Sequence, residues 1–461
     1  MNQSPATHPL VPERTARILG WVARGLWLAA LIAFHLWNIC HYDPISGYDA
    51  LDHLRVIATY HETGHAPAGG YGALNPPLYY IVMGGIWGLT QSVKALHVWE
   101  LTSSLKVLQV VSLLLYGVNV WIVKKLLWTV TRNPWVRWPA LTFVAYLPVH
   151  IAYAYMIFNY SLSHTLELGT IYALYSFARR PQLQRLVAAG VLAGLGAFTA
   201  LTCLYTVPLG ALTAFVYGPR ALRRRLLWLG AFLLAFGVAT LPFYRYQKNQ
   251  ACYLCTGNRA PTNKPFTKVY PPGFYTHFSF RALKYPYYPN HFYDGMWNLI
   301  YETTFADYFG YLVPPRLTDF GAPQNKTGLV STGRHFIDRQ LLHRAGLLSL
   351  SALPSALAIL IALAVAGYRS ADWLVRVFRT RARAPLSLFV FAGSVAVLAQ
   401  YLAYIHRYPN WVNLHAGYLL AILVLATVEV TRLLRWRWAR GAMAVAFSGY
   451  AAGCVFVFLF R

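Results

Sequence analysis

The chain has 461 residues, of which 57% are hydrophobic and only 12% charged, with a mean hydropathy of +0.41. Soluble proteins carry about 25% charged residues, so half that density excludes an ordinary soluble protein, and many apolar runs are long enough to cross a bilayer. The 40 Lys and Arg against 14 Asp and Glu give a net charge of +26. Because most basic residues sit in short clusters between apolar runs, that charge reads as membrane topology, not as nucleic-acid binding. Five cysteines are too few to frame a chain of this length with disulfides. The expected class is an all-α polytopic membrane protein.

The first apolar run, residues 21–40, is preceded or opened by Arg14, Arg17 and Arg24. It is longer than a signal-peptide core and lacks a small-residue cleavage site, so it reads as a retained crossing with a cytoplasmic N-terminus. Residues 76–91 are short for a crossing and open on two prolines. Residues 101–123 are long enough, and lead into Lys124, Lys125, Arg132 and Arg137. If both segments crossed, that basic cluster would be external. Parity therefore makes 76–91 an interfacial or re-entrant helix and 101–123 the second crossing.

The same rule predicts crossings at 138–154, 162–178, 226–243, 345–368, 385–405, 412–430 and 442–460. Residues 186–217 carry basic residues at both ends and read as a tight pair of short helices, broken near Thr202 and Pro208. The total is about eleven helices. Three regions follow: an N-terminal module, 1–243, containing an external loop at 41–100; a large external loop, 244–343; and C-terminal helices, 344–461. The large loop is too aromatic for a disordered linker and is expected to fold on the external face. No internal repeat is visible, unlike many transporters.

Acids are scarce, so their placement carries information. Asp43, Asp49, Asp52 and Glu62 all fall in the first external loop, within Gly47-Tyr48-Asp49-Ala50-Leu51-Asp52-His53-Leu54-Arg55 and its flanks. Asp49, Asp52 and His53 have the spacing of one helical face. A carboxylate at the membrane edge beside His and Arg suits a general base or a metal ligand, while a solvated acid or an N-cap is the plainer role for Asp49. Glu167 lies inside a predicted helix, where ionisable groups are costly and often functional; a buried pairing with Ser, Thr or Tyr is its plainer role. Cys252-Tyr253-Leu254-Cys255 has no second Cys/His pair for zinc and reads as a local disulfide or two free thiols. Asn325-Lys326-Thr327 has the form of a glycosylation sequon, and no phosphate-binding glycine loop is present.

Several of these stretches, in order, resemble the GT-C membrane glycosyltransferases, in the branch of the protein O-mannosyltransferases and the lipid A aminoarabinose transferases. They are the Gly47-x-Asp49-x-x-x-His53 segment, Gly64-x-x-Pro67, Asn75-Pro76-Pro77-Leu78-Tyr79-Tyr80 opening an apolar helix, Phe158-Asn159-Tyr160-Ser161-Leu162, and Gly190 to Thr202. The resemblance spans roughly residues 20–220; the C-terminal half matches in general plan. Ala50 stands where many relatives have Glu, Tyr160 replaces an Asp, and residues 200–202 lack a Lys.

The resemblance implies inverting transfer of a sugar from a polyprenyl-phosphate donor to an acceptor hydroxyl at the external face. Asp49 would be the general base, with Asp52 its rival. The leaving phosphate needs cations, for which His53, Arg55, Arg245, Lys248, His406 and Arg407 are candidates. His406 and Arg407 lie on a short external turn and suit interfacial anchoring equally well. Asn75, Tyr79, Asn159, Glu302 and Asp307 are candidate substrate contacts, the last two in an aromatic segment that suits sugar stacking or simply core packing. No cofactor is implied, and without the acidic neighbour at Ala50 a divalent-metal site has little support. The acceptor is a glycan, lipid or protein, and the expected location is a bacterial inner membrane with the site facing the periplasm. A lipid or solute transporter or flippase, and an inactive scaffold of the same fold, are the alternatives.

Overall fold

In a bilayer the backbone finds no partner but itself, and a helix satisfies its amides internally, so long apolar runs fold as helices. The computed structural model describes residues 13–42, 50–65, 67, 75–95, 101–249, 270–280, 283, 295–306, 329–331, 336–380, 384–407, 416–434 and 437–459. The N-terminal helices are α1 (Glu13–His41), α2 (Ala50–Thr63), α3 (Leu78–Ala95), α4 (Leu101–Val130), α5 (Pro134–Ala145), α6 (Pro148–Tyr155), α7 (Tyr160–Arg179), α8 (Leu183–Ala197), α9 (Thr206–Tyr217) and α10 (Leu222–Asn249). Then come α11 (Met296–Phe305), α12 (Arg339–Ser351), α13 (Leu353–Thr380), α14 (Leu386–Arg407), α15 (Leu420–Leu433) and α16 (Arg437–Leu459). A short antiparallel pairing sets Leu329 opposite Asp338 and Ser331 opposite Phe336.

Six stretches of the described residues are long and apolar enough to cross a membrane: Ile18–His41, Leu105–Val130, Leu222–Pro242, His343–Val377, Leu386–His406 and Arg437–Leu459. Their outer faces are apolar; Trp21 is 71% exposed, Leu234 69% and Val238 63%. Such faces in water would aggregate, and lipid is their natural solvent. The protein is an α-helical integral membrane protein.

The structure departs from the sequence-based expectations in four places, each for a local reason. The run 138–154 is two helices, α5 and α6, because Pro148 cannot continue α5 and instead opens α6. α5 itself starts where Asn133 accepts a hydrogen bond from the Trp135 amide at 3.0 Å, with Pro134 at its first position. α7 carries Ser161, Ser163, His164, Glu167 and Thr170 on its buried surface, so it is less apolar than the six, and these polar side chains face protein. The pair in 186–217 breaks at Phe198–Tyr205, with Pro208 inside the first turn of α9 and not at the break. At the C-terminal side, 412–430 gives only the 14-residue α15 behind a 3-10 turn at Ala416–Leu419.

Small residues let α8 and α10 approach closely. A Cβ on Gly190 would lie 2.5 Å from the Phe232 carbonyl, and one on Gly194 would lie 2.6 Å from both Ala239 and the Phe236 carbonyl. This is the small-x-x-x-small seam of membrane helices, facing Ala235 and Ala239 of α10.

Hydrogen bonds sort the helix ends into two groups. At one end Arg179 at the close of α7 donates to the carbonyl of Thr129 near the close of α4, and Tyr217 at the close of α9 donates to Pro385 before α14. Glu429 near the close of α15 pairs with Arg432 and with Arg369 of α13 at this same arginine-rich end. At the other end Lys106 of α4 donates to the carbonyls of Ile39 and Tyr42 at the close of α1. There too the Leu78 amide opening α3 donates to Phe198 at the close of α8.

Candidate functional site

The end opposite the arginines gathers the segments singled out in the first loop, at 158–162 and at 190–202. α2 lies along α3, and its His53 is fully enclosed. Asn75 donates to the Tyr80 hydroxyl at 3.0 Å, and that hydroxyl meets His53 Nδ1 at 2.8 Å. Burial pushes the His53 pKa down to about 3, so the ring is neutral. A neutral ring accepts the Tyr80 proton at Nδ1, which leaves its own proton on Nε2. His53 also stacks on Tyr80 and meets Phe158 edge-on with ring centroids 4.2 Å apart. Phe158 and Asn159 sit at the start of α7, so one imidazole ties α2, α3 and the α6–α7 junction together.

This geometry changes the role expected of His53. A cation for a departing phosphate must be charged and reachable, and His53 is neither; it is a positioning residue that fixes the first loop. Asp52, one residue earlier, points to another face: it is half-buried and pairs with exposed Arg55 at 3.3 Å. The common face expected of Asp49, Asp52 and His53 turns on Asp49. Arg55 is the reachable cation of this segment. Asp49, one residue ahead of the start of α2, lies outside the described residues, as do Asp43, Asp307, the Cys252/Cys255 pair and the Asn325 sequon.

The remaining candidates divide. Tyr79 is buried against Tyr80, and Asn159 is buried beside Phe158 at the start of α7. Glu302 is buried on α11, which packs against α6 and the 3-10 turn at Ala416–Leu419, bringing the large loop to the same end. Neighbouring Tyr301 donates to Ser349 and is itself held by the rim of the C-terminal helices. His406 is exposed at the close of α14. Arg245, Lys248 and Arg407 lie in the last turns of α10 and α14, where only the backbone is described.

Beneath this rim the structure adds groups that were not picked out from sequence. His164 Nδ1 lies 2.9 Å from Glu167 Oε2, both side chains nearly fully buried. Tyr205 of the α8–α9 break faces Glu167, and the His164 ring packs against Tyr153 and Tyr160. Tyr160 in turn meets Tyr418 of the C-terminal half at 5.2 Å. The expected Ser, Thr or Tyr partner of Glu167 is thus joined by a histidine three residues before it. That i, i+3 spacing was legible. Lys106 was also missed; its signal was a lone lysine one turn inside an apolar helix facing an acidic loop.

Among the described residues no group of three or more His, Cys, Asp or Glu side chains is placed to hold a metal ion. No family model, curated protein or solved structure matches the chain.

Proposed function

We propose that the protein is an inverting glycosyltransferase of the GT-C type, with about eleven crossings, acting at the membrane face opposite the arginine clusters. One observation carries this reading: the three segments that resemble the family, far apart in sequence, converge at one end of the bundle through the His53–Phe158 contact and the Leu78–Phe198 hydrogen bond. The alternation of helix ends supports the crossing number, because α7, α8 and α9 also run between the two ends although they are short or polar. α3 begins at the site end and α4, which follows it, also begins there, in keeping with an α3 that does not cross.

In this reading Asp49 removes the acceptor proton as the oxygen attacks the anomeric carbon of a polyprenyl-phosphate sugar, and polyprenyl phosphate leaves from the opposite face. Arg55, Arg245, Lys248, His406 and Arg407 supply positive charge to the leaving phosphate. The Asn75–Tyr80–His53 chain and Lys106 hold the two ends of the loop that carries Asp49. The acceptor is a glycan, lipid or protein hydroxyl. By the positive-inside rule the arginine end is cytoplasmic, which in a bacterium puts the site in the inner membrane facing the periplasm.

The test is release of polyprenyl phosphate from a panel of labelled polyprenyl-phosphate sugars by purified protein supplemented with membrane extract. Release that Asp49→Asn abolishes and Asp52→Asn preserves is the expected result. No release from any donor by well-folded protein overturns the proposal.

A second reading has its own support. The Nε2 atoms of His35, His150 and His164 are buried without a hydrogen-bond partner among the described residues, and His164 holds Glu167. Ionisable groups inside apolar helices are the usual marks of a proton or solute path, and the breaks at Pro148 and Phe198–Tyr205 lie near them. A proton-coupled transporter or flippase would acidify or move solute across proteoliposomes without consuming a sugar donor.

A further inference from the structure

We propose that a cleft at the arginine end, between α4, α7 and α8, binds one anionic diacyl phospholipid of the adjoining leaflet. The cleft has a volume of about 1000 Å³ and is partly open. Its outer end is lined by Arg132, Arg179, Arg180 and Arg185, and no carboxylate of the described residues lines it. Its deeper wall is apolar, formed by side chains such as Leu166 and Leu192. Val118, also on that wall, is 43% exposed and opens the cleft sideways toward lipid.

The arginines are held in two ways. Arg179 donates to the Thr129 carbonyl at 2.6 Å and Arg185 to the Ser176 carbonyl at 2.7 Å, which fixes both stems. Each guanidinium has five N–H donors, so both keep donors for an incoming anion. The side chains of Arg132 and Arg180 make no hydrogen bond or ion pair with any described residue. Four cations with no acid among them, two of them uncommitted, form a site that repels itself until an anion enters.

The depth of the cleft selects a lipid over a free anion. Trp121 and Trp128 line it, with Lys125 over the Trp121 ring at 5.2 Å and Lys124 over Trp128 at 5.8 Å. Tryptophan and lysine on one helix mark the headgroup level of a membrane. The arginines therefore sit with Trp128 at phosphate depth, and the Leu166–Leu192 wall, farther along α7 and α8 from that end, sits where acyl chains lie. Basic pockets between membrane helices have this pattern when they hold acidic lipids. The cleft lies at the opposite end from the proposed reaction site, so its occupant is not the sugar donor.

The test is native mass spectrometry of the full chain in detergent, titrated with phosphatidylglycerol or phosphatidylcholine. One phosphatidylglycerol retained in preference to phosphatidylcholine is expected. The double variant Arg132→Gln/Arg180→Gln should bind it about thirtyfold more weakly, the weight of two arginines at a membrane surface. Ala188→Trp, which puts an indole into the cleft and leaves every arginine in place, should weaken retention too. Melting of all three proteins without lipid checks that they are folded. Equal retention of the two lipids, or full retention by the double variant, overturns the proposal. Displacement of the lipid by millimolar inorganic phosphate also overturns it, because the apolar wall would then contribute nothing.

Discussion

Two glutamates buried in the bundle are stabilised by different means. Glu429, fully enclosed at the arginine end, is bracketed by Arg432 at 2.8 Å and Arg369 at 3.3 Å. Glu167, in the half nearer the proposed site, pairs with His164 at 2.9 Å and faces Tyr205. Arginine does not lose its proton, so the first arrangement is a permanent charge cluster and locks α13 to α15. Among the described residues the ion-pair partner of Glu167 is an imidazole on its own helix, so this pair locks no second helix. The buried polar groups of the two ends differ in the same way: guanidinium–carboxylate pairs around Glu429 at one, the Asn75–Tyr80–His53 chain at the other.

The largest effect is expected where fixed charge is broken. Arg432→Leu leaves Glu429 with only the more distant, partly exposed Arg369, and should cost about 3 kcal/mol of stability, the low end for an uncompensated buried charge. Thermal unfolding in detergent checks this; an unchanged melting temperature would mean that Glu429 reaches water.

Next in size is a pH effect at the site end. The pKa of His53 falls from 6.5 in the unfolded chain to about 3 in the folded one, because burial excludes the charged ring. Its contribution is complete above pH 6.5 and is lost progressively as pH falls toward 3, since only the unfolded chain then takes up the proton. Between pH 6.5 and 5 the loss is about 2 kcal/mol. His53→Leu should remove that share of the acid sensitivity relative to the parent. A variant as acid-sensitive as the parent would place the cause elsewhere.

The smallest effect is expected at Glu167. Glu167→Gln keeps the volume and the hydrogen bond to His164, so stability should change by less than about 1 kcal/mol. The matching Glu429→Gln should cost more, because it strands two arginines beside a neutral amide. Equal losses from the two substitutions would erase the distinction between the two ends.

Much of this fold is written in local patterns. The six long apolar helices follow from their runs, and the exclusion of Leu78–Ala95 from them follows from the shortness of residues 76–91 and the charge beyond 101–123. The break inside 138–154 was also legible, since Pro148 stands in the middle of the run; hydrophobicity alone concealed it. The polar character of α7 was harder to use. Ser163, His164 and Glu167 look costly for a crossing until the surrounding helices are seen to replace lipid.

The segments singled out in sequence come together in the fold, but the roles of their side chains were not legible. The loop motif, Asn159 and the 190–202 segment do meet, yet spacing along a chain does not say which side chain is enclosed. His53 shows the gap: adjacent to acids and Arg55 in sequence it reads as a cation, and in the fold Tyr80 and Phe158 enclose it as a neutral wedge. Lys106 shows the converse, a residue without a motif that holds the entry to the acidic loop through two carbonyls.

The most direct measurement compares Asp49→Asn with Glu167→Gln in proteoliposomes supplied with a labelled polyprenyl-phosphate sugar, reading polyprenyl phosphate release and proton movement together. Asp49→Asn should abolish release, Glu167→Gln should leave most of it, and neither should change proton flux. Donor release by none of the proteins, with a proton flux that Glu167→Gln abolishes, would contradict the glycosyltransferase reading and assign the buried histidines and Glu167 to transport.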